Sequence, residues 1–207
     1  LPGELISENT LAAQMHTSRT PVREAIARLE SEHCVEVFPQ RGTQVSRISM
    51  RMMHQAAFLR SVLEREAVEE LCRKGLTAEQ MRGLEESLAK QYDLYAAHSS
   101  YELLEEDMRM HSLFYCYCGR ERAIDALTAI DCDMMRVRYL KIITYSYQPN
   151  VESARGWENQ LTEHRLILAA LRRRDYGALR FIAQQHILLA EREGDHLRRI
   201  YPQYFCA

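Results

Sequence analysis

The 207-residue chain has no CxxC pair, no apolar run near the length of a membrane span, and no surplus of positive charge. Each absence excludes something. Six cysteines (Cys34, Cys72, Cys116, Cys118, Cys132, Cys206) lie scattered, so neither a zinc ribbon nor a thioredoxin-like motif is supported. Few glycines and a helix-forming composition argue against a small disulfide scaffold, so the thiols are expected to be reduced and the protein cytoplasmic. No stretch approaches the roughly 20 apolar residues that a span needs, so no membrane partner is expected. Leu1-Pro2-Gly3-Glu4 reads as the interior of a domain rather than a signal peptide, with residues expected upstream. The formal net charge is −2, and residues 1–49 carry five arginines against six glutamates. A whole-domain electrostatic case for nucleic acid therefore fails, and any such case must rest on where the arginines stand.

What is present is the profile of a globular protein: 46% hydrophobic and 27% charged residues, with enough length for one large domain or two modest ones. The pattern changes near Ser49, which divides the chain into residues 1–48 and 49–207. In the first part Ser7 is a fitting N-cap for a helix to about Met15, with Leu11 and Met15 on one face. After a short turn at His16-Thr17, Ser18 or Thr20 caps a second helix with Pro21 in its first turn, where a missing N–H does little harm. Val22, Ile26 and Leu29 give that helix an apolar face, and Arg19 and Arg23 project together beside it. Val35–Phe38, the turn 39–42 and Thr43–Ser46 then read as a β-hairpin with Arg41 at its tip. Two short helices and a hairpin with a basic tip make a winged helix-turn-helix.

Residues 49–207 show helical periodicity throughout. About six helices are expected, near Ser49 to Lys74, Thr77 to His98, Ser99 to Tyr117, Arg120 to Tyr145, Ser153 to Arg174 and Asp175 to Ile200. Thr77–Gln80 and Ser99–Glu102 fit the capping-box pattern, Gly75 and Gly119 are candidate stops, and Pro149-Asn150 marks a loop. The fold class is mainly α: a winged helix-turn-helix with a small wing, followed by an antiparallel helical bundle.

The run Ser18-Arg19-Thr20-Pro21-Val22-Arg23-Glu24-Ala25, followed by Arg28-Leu29-Glu30, resembles the recognition helix of GntR-family regulators. Leu1-Pro2-Gly3, Leu11-Ala12 and Pro39-Gln40-Arg41-Gly42-Thr43-Gln44-Val45 fall at that family's spacing, its usual first helix lying upstream. The remainder is similar to the FCD effector domain of the FadR branch, with Phe58-Leu59-Arg60, Leu63-Glu64, Asp107 to His111, Glu163-His164 and His186 in its order. Six helices look more like the VanR-type subgroup than the seven-helix FadR type. The resemblance implies a homodimer that binds a short palindromic operator and changes affinity when a small organic acid binds. Two positions depart from the pattern: His33-Cys34 stands where the family commonly has glycine, and Asn9 stands where some relatives place a DNA-contacting arginine.

For DNA, Arg19 and Arg23 are suited to the major groove, because a guanidinium pairs bidentately with guanine O6 and N7. Ser18 and Thr20 would bond phosphates at the helix start, with Pro21 alongside, while Gln40, Arg41 and Gly42 would follow the sugar-phosphate edge. Within the bundle, Asp107 and His111 are i, i+4 and can converge on one ion. A lone pair of this kind is weak evidence, but with His164 and His186 the set resembles the FCD metal site. Three imidazoles and a carboxylate suit Zn, Ni, Mn or Fe(II) and leave positions open for an effector carboxylate. The other five histidines (His16, His33, His54, His98, His196) are expected at the surface or at helix caps. Arg60, Arg136 and Arg138 are candidates to clamp the carboxylate, Arg138 foremost, with salt bridges to Glu64 or Asp133 as the alternative. Trp157, Tyr139 and Tyr145 would line the pocket or simply fill the core.

The sequence thus points to an operator-binding regulator, expected to be a repressor, that is tuned by a small acid near a divalent metal. Two rivals use the same residues. One is a metal-dependent enzyme acting on small acids or esters, with Glu106 or Glu163 as a base, although neither is expected to face the ion. The other is a dimerisation module held by a structural zinc.

Overall fold

The structure is a computed structural model and describes residues 1–39, 41–145 and 157–206, the side chain of Tyr145 excepted. The expected roles of Gln40 and Tyr145, the Pro149-Asn150 loop, and the start of the helix expected from Ser153 lie outside what is described.

In the head, β1 (Leu5–Ile6) leads into α1 (Glu8–Gln14), α2 (Arg19–Ser31), β2 (Val35–Phe38) and β3 (Gly42–Val45). Ser7 caps α1 by accepting a bond from the Thr10 amide. Ser18 is the N-cap of α2 but makes no side-chain bond, and Pro21 sits in the first turn. Val22 and Ile26 are buried with Ala12 and Val35 in a small core, whereas Leu29, expected on the same face, is 39% exposed. The wing folds as expected, with Val35 opposite Val45 and Phe38 opposite Gly42. The periodicity did not indicate β1, which adds a third antiparallel strand beside β3 because two residues are too few to show alternation. At the end of α2, His33 takes the left-handed φ of +59° that the family's glycine would supply. The chain therefore turns there despite the added Cβ. His16 and His98 likewise take positive φ just beyond α1 and α4 (Ala78–Ala96), in keeping with a capping role.

The bundle contains seven helices among the described residues. They are α3 (Met50–Lys74), α4, α5 (Ser100–Tyr117), α6 (Arg122–Thr128), α7 (Cys132–Tyr145), α8 (Glu158–Arg173) and α9 (Tyr176–Ile200). The single helix expected over Arg120 to Tyr145 is two helices. No Gly or Pro marks the break at residues 129–131; the Asp131 carbonyl simply accepts the Met135 amide and starts a new helix. Thr77 forms its full capping box, while Ser99 makes no side-chain cap bond. Phe114, Trp157, Leu103 and Leu161 fill the main core. Helices α3 and α9 run close together where Gly194 faces Met50 and Met53, whose side chains occupy the space a Cβ would need.

Head and bundle meet at residues 46–49. Ile48 is fully buried and bridges to Phe205, so the C-terminal tail holds the linker. Arg136 donates to the carbonyls of Ser46 (2.5 Å) and Arg47 (3.3 Å). This places Arg136 at the junction rather than at the expected effector pocket. A disulfide joins Cys34 of the head to Cys132 at the start of α7, with Cα atoms 6.5 Å apart, an ordinary separation for such a bridge. The expectation of reduced thiols is thereby corrected for these two residues. They lie 98 positions apart, so only tertiary packing brings them together. Among the described residues no helix is long and apolar enough to cross a membrane.

Candidate DNA interface and buried histidine site

Asp107 and His111 lie on α5, His164 on α8 and His186 on α9, and all four are buried in the middle of the bundle. The three imidazoles present their Nε2 atoms to one another: His164 to His186 at 3.2 Å, and His186 to His111 at 3.3 Å. Asp107 Oδ1 lies 3.5 Å from His164 Nε2, and its Oδ2 lies 3.8 Å from His111 Nε2. Each ring is held from behind. Nδ1 of His111 meets Glu64 Oε1 at 2.6 Å, Nδ1 of His164 meets Gln91 Oε1 at 3.0 Å, and Nδ1 of His186 meets Glu163 Oε2 at 2.7 Å. All three partners are acceptors, so each Nδ1 carries the proton and donates, which directs the bare Nε2 lone pairs inward.

Electrostatics keep the rings neutral. Burial pushes His164 down to about 3 and His186 down to about 4, and it pushes His111 well below the ordinary imidazole range. Burial, the largest single influence, would raise Asp107, but the surrounding positive groups, the Arg138 guanidinium at 2.5 Å first among them, together outweigh it and hold the carboxyl well below the usual carboxylate range. Asp107 Oδ2 is taken up by that ion pair, whereas Oδ1 accepts no hydrogen bond. Three lone pairs and an ionised carboxylate thus face one another in a buried space, an arrangement that a cation would satisfy. The three histidines can hold a metal ion, and acceptor-backed imidazoles are the usual setting for one.

Gln91 was not anticipated, and Glu64 was expected only as a salt-bridge partner, which it is for Arg60, although each carried a further signal. Glu64 falls on the buried stripe of α3 with Ala57, Ala67, Val68 and Leu71, and Gln91 falls on that of α4 with Leu84 and Leu88. A polar residue at a core position asks for a partner. Glu163 was expected to point away and instead supports His186, because the long side chain reaches back across the helix face.

Beside the histidines is a cavity of only about 10 Å³, bordered by Arg60, Met134, Arg138, Gln160, His186 and other α9 residues. Arg60 and Arg138 are where a carboxylate clamp was expected, although both have partners: Arg60 bonds Glu64 at 3.1 Å and Arg138 pairs with Asp107. Trp157 is fully buried, with Arg138 5.3 Å and Lys141 5.6 Å from its ring centre. Tyr139 lies elsewhere, lining a cleft between bundle and head. Glu106 also lies away from the histidines, bonded to Ser87 and Arg109.

On the head, Ser18, Arg19, Thr20, Pro21 and Arg23 are all exposed at the start of α2, and Arg41 is exposed at the wing tip beside Gly42. Arg19, Arg23, Arg41 and Gly42 border one groove of about 550 Å³ together with Asn9 and Glu8. Glu8 was not foreseen. Its carboxylate accepts from Arg23 Nε at 2.8 Å and from Arg19 at 3.3 Å, and those two bonds, Arg23's first, lower its pKa.

A winged helix-turn-helix joined to a helical bundle that buries a ligand-type cluster defines a DNA-binding transcription regulator. The model for bacterial regulatory proteins of the gntR family matches residues 1–45, and the FCD domain model matches residues 55–189. The chain belongs to the GntR family and carries an FCD domain. It is 28% identical over 186 residues to the HTH-type transcriptional repressor RspR of Escherichia coli K12, spanning 90% of this chain and 77% of that protein. It is 29% identical over 144 residues to the Nta operon transcriptional regulator of Aminobacter aminovorans, spanning 70% of this chain and 66% of that one. The solved structure of E. coli McbR/YncC has the same fold, with a TM-score of 0.70 at 24% identity over 98% of this chain and 89% of that chain. The named relatives are transcription regulators.

If Glu163 orients His186 as a ligand, Glu163→Gln should weaken binding of Zn, Ni or Mn by roughly 10–100-fold while leaving helical content unchanged. Chelator competition alongside circular dichroism checks this, and unchanged metal affinity would contradict it.

Proposed function

We propose that the protein is a homodimeric, cytoplasmic repressor that sits on a palindromic operator at the nucleoid. A small carboxylate binding beside a metal held by Asp107, His111, His164 and His186 modulates it. The observation that carries this reading is the set of three inward Nε2 atoms next to Asp107, with two buried arginines at their side. Repression is supported by RspR, a named repressor among the relatives. In this reading residues 1–48 form the DNA head and 49–207 the effector and dimerisation domain. Zn, Ni or Mn is the ion, and Arg60 and Arg138 draw the effector carboxylate.

The cavity has room for about one water molecule, so an effector must displace side chains or shift helices to enter. Helix α7 is the element placed to relay such a shift. Its Arg138 reaches Asp107, and two residues earlier its Arg136 holds the linker carbonyls. A ligand that moves α7 would move the head, with a coupling free energy of typically ~1–3 kcal/mol.

A palindrome needs two heads about 34–36 Å apart, which calls for a two-fold partner. Helix α3 offers a face for a second copy: Phe58, Leu59, Val62 and Leu63 are 64%, 43%, 39% and 36% exposed at i, i+4 spacing. With both Phe58→Glu and Val62→Glu in place, sedimentation should shift from dimer to monomer at micromolar concentration. A dimer that survives both changes would remove this face from consideration.

For DNA, Ala at Arg19 or Arg23 should cost about 1–3 kcal/mol on specific duplexes and relax base preference locally. Arg41→Ala should weaken specific and scrambled duplexes more evenly, compared at fixed salt. Undiminished discrimination in the Arg19→Ala, Arg23→Ala double variant would sink the recognition-helix assignment.

For the effector, His164→Ala should lose the response of the DNA complex to a panel of small carboxylates before it loses DNA binding. Chelation should lower the melting temperature of the wild type, since the ion binds only the folded state. A metal-free wild type with a full carboxylate response would be fatal to the metal-supported pocket.

A further inference from the structure

Regulators that act on DNA inside the cell work where thiols are kept reduced, and disulfides there are mostly transient and redox-sensing. The Cys34–Cys132 bridge is notable for where it lies. Cys34 follows the recognition helix α2 by three residues and precedes the wing, and its carbonyl accepts the Ser46 amide at 3.0 Å. Cys132 is the first residue of α7, the helix whose Arg136 holds Ser46 and Arg47. The bridge therefore joins the end of the DNA-reading helix to the helix that reaches Asp107.

Little else holds the two halves together. Among the described residues no head helix or strand packs extensively against a bundle helix. A largely apolar cleft of about 450 Å³ opens between Pro2 and Val45 of the head and Tyr101, Tyr139 and Ile143 of the bundle. Without the bridge, the head is held chiefly by hydrogen bonds to the linker carbonyls and by the pairing of Ile48 with the C-terminal tail. Both cysteines are half-buried residues.

We propose that Cys34 and Cys132 form a reversible thiol–disulfide site that locks the DNA head to the effector bundle under oxidising conditions. The oxidant class is a low-molecular-weight disulfide. One protein thiolate attacks it, forming a mixed disulfide and expelling one small thiolate. The second protein thiolate attacks the mixed disulfide, closing the Sγ–Sγ bond and expelling the other. Two electrons pass from the protein thiols to the small disulfide, and the two thiol protons end on the released small thiols or in solvent. Reduction by a dithiol reverses each step. The lock narrows the range of head positions, so an oxidised dimer accepts one half-site spacing where a reduced dimer tolerates several.

The inference rests on the operator-binding reading for its effect but not for its chemistry, and the test separates the two. Wild type, Cys34→Ser and Cys132→Ser are equilibrated with glutathione disulfide or with dithiothreitol and mapped by mass spectrometry of unreduced peptides. Duplexes are those that the reduced wild type selects from a randomised pool, each then lengthened by two base pairs between half-sites, a shift of about 7 Å. Oxidised wild type should yield a Cys34–Cys132 linked peptide that dithiothreitol removes. Its loss of affinity on the lengthened duplex should exceed that of the reduced form by about tenfold, within the range typical of coupled sites. The serine variants should show neither effect while binding the unlengthened duplex. Alkylating the reduced wild type gives the same comparison should a variant fail to fold. Absence of the linked peptide, or equal spacing tolerance in the two redox states, would overturn the proposal. A reduced protein that selects no duplex would defeat the operator reading instead, and the peptide map would then decide the bridge by itself.

Discussion

Three neutral imidazoles and an ionised carboxylate share the centre of the bundle, and much of the C-terminal half is arranged to make that tolerable. Lone pairs that face one another away from water are unfavourable unless each ring is fixed and the charge is offset. Glu64 on α3, Gln91 on α4 and Glu163 on α8 fix the rings, while Arg138 on α7 offsets Asp107. Together with α5 and α9, which carry ligand-type residues themselves, six of the seven described bundle helices are specified relative to one another by polar contacts as well as by apolar packing. Removing one partner of such a buried ion pair typically costs about 3–5 kcal/mol, because the other charge is stranded. The Asp107–Arg138 contact thus ties α5 to α7 more firmly than their packing alone.

That tie gives α7 its position between two demands. Arg138 faces inward to the histidine site, and Arg136, two residues away and so on another side of the helix, faces the linker. The head has a small core of its own, built on Ala12, Val22, Ile26 and Val35, and depends on the junction for its orientation. Buried Ile48, the tail around Phe205, Arg136 and the Cys34–Cys132 bridge make up that junction. The head is thus joined to the bundle mainly through this junction.

The groove beside α2 shows how little total charge says about where charge is placed. The head carries more glutamates than arginines, yet Arg19 and Arg23 at the start of α2 and Arg41 at the wing tip border one groove, while the exposed Arg28 and Arg47 lie outside it. Glu8 partly neutralises that groove while holding Arg23 through Nε, which leaves the two terminal nitrogens of the guanidinium for other partners.

Much of the architecture was legible because helices and hairpins are written in short-range spacing. Leu11, Val22 and Ile26 marked the helix-turn-helix, Val35 to Val45 marked the wing, and the i, i+4 pair of Asp107 and His111 marked the core-facing side of α5. The limits appear where no short-range pattern exists. Two-residue β1 is too short to alternate, and the break between α6 and α7 has neither Gly nor Pro. Leu29 continued an apolar face that the small head core was not wide enough to cover. The residues behind the histidines lie 47, 73 and 23 positions from the rings they hold, and the two bridged cysteines lie 98 apart. Arg136 could be read as a pocket residue or as a partner of Asp133; it does pair with Asp133, and folding also brought Ser46 and Arg47 to it. By itself the sequence determined most of the elements, β1 and the α6–α7 break excepted, and which side chains carry ligand chemistry, since both follow from residue type and local periodicity. Which acceptor backs each imidazole, which arginine faces the site and which cysteine meets which were decided only by the tertiary structure, because those pairings depend on how helices distant in sequence pack against one another.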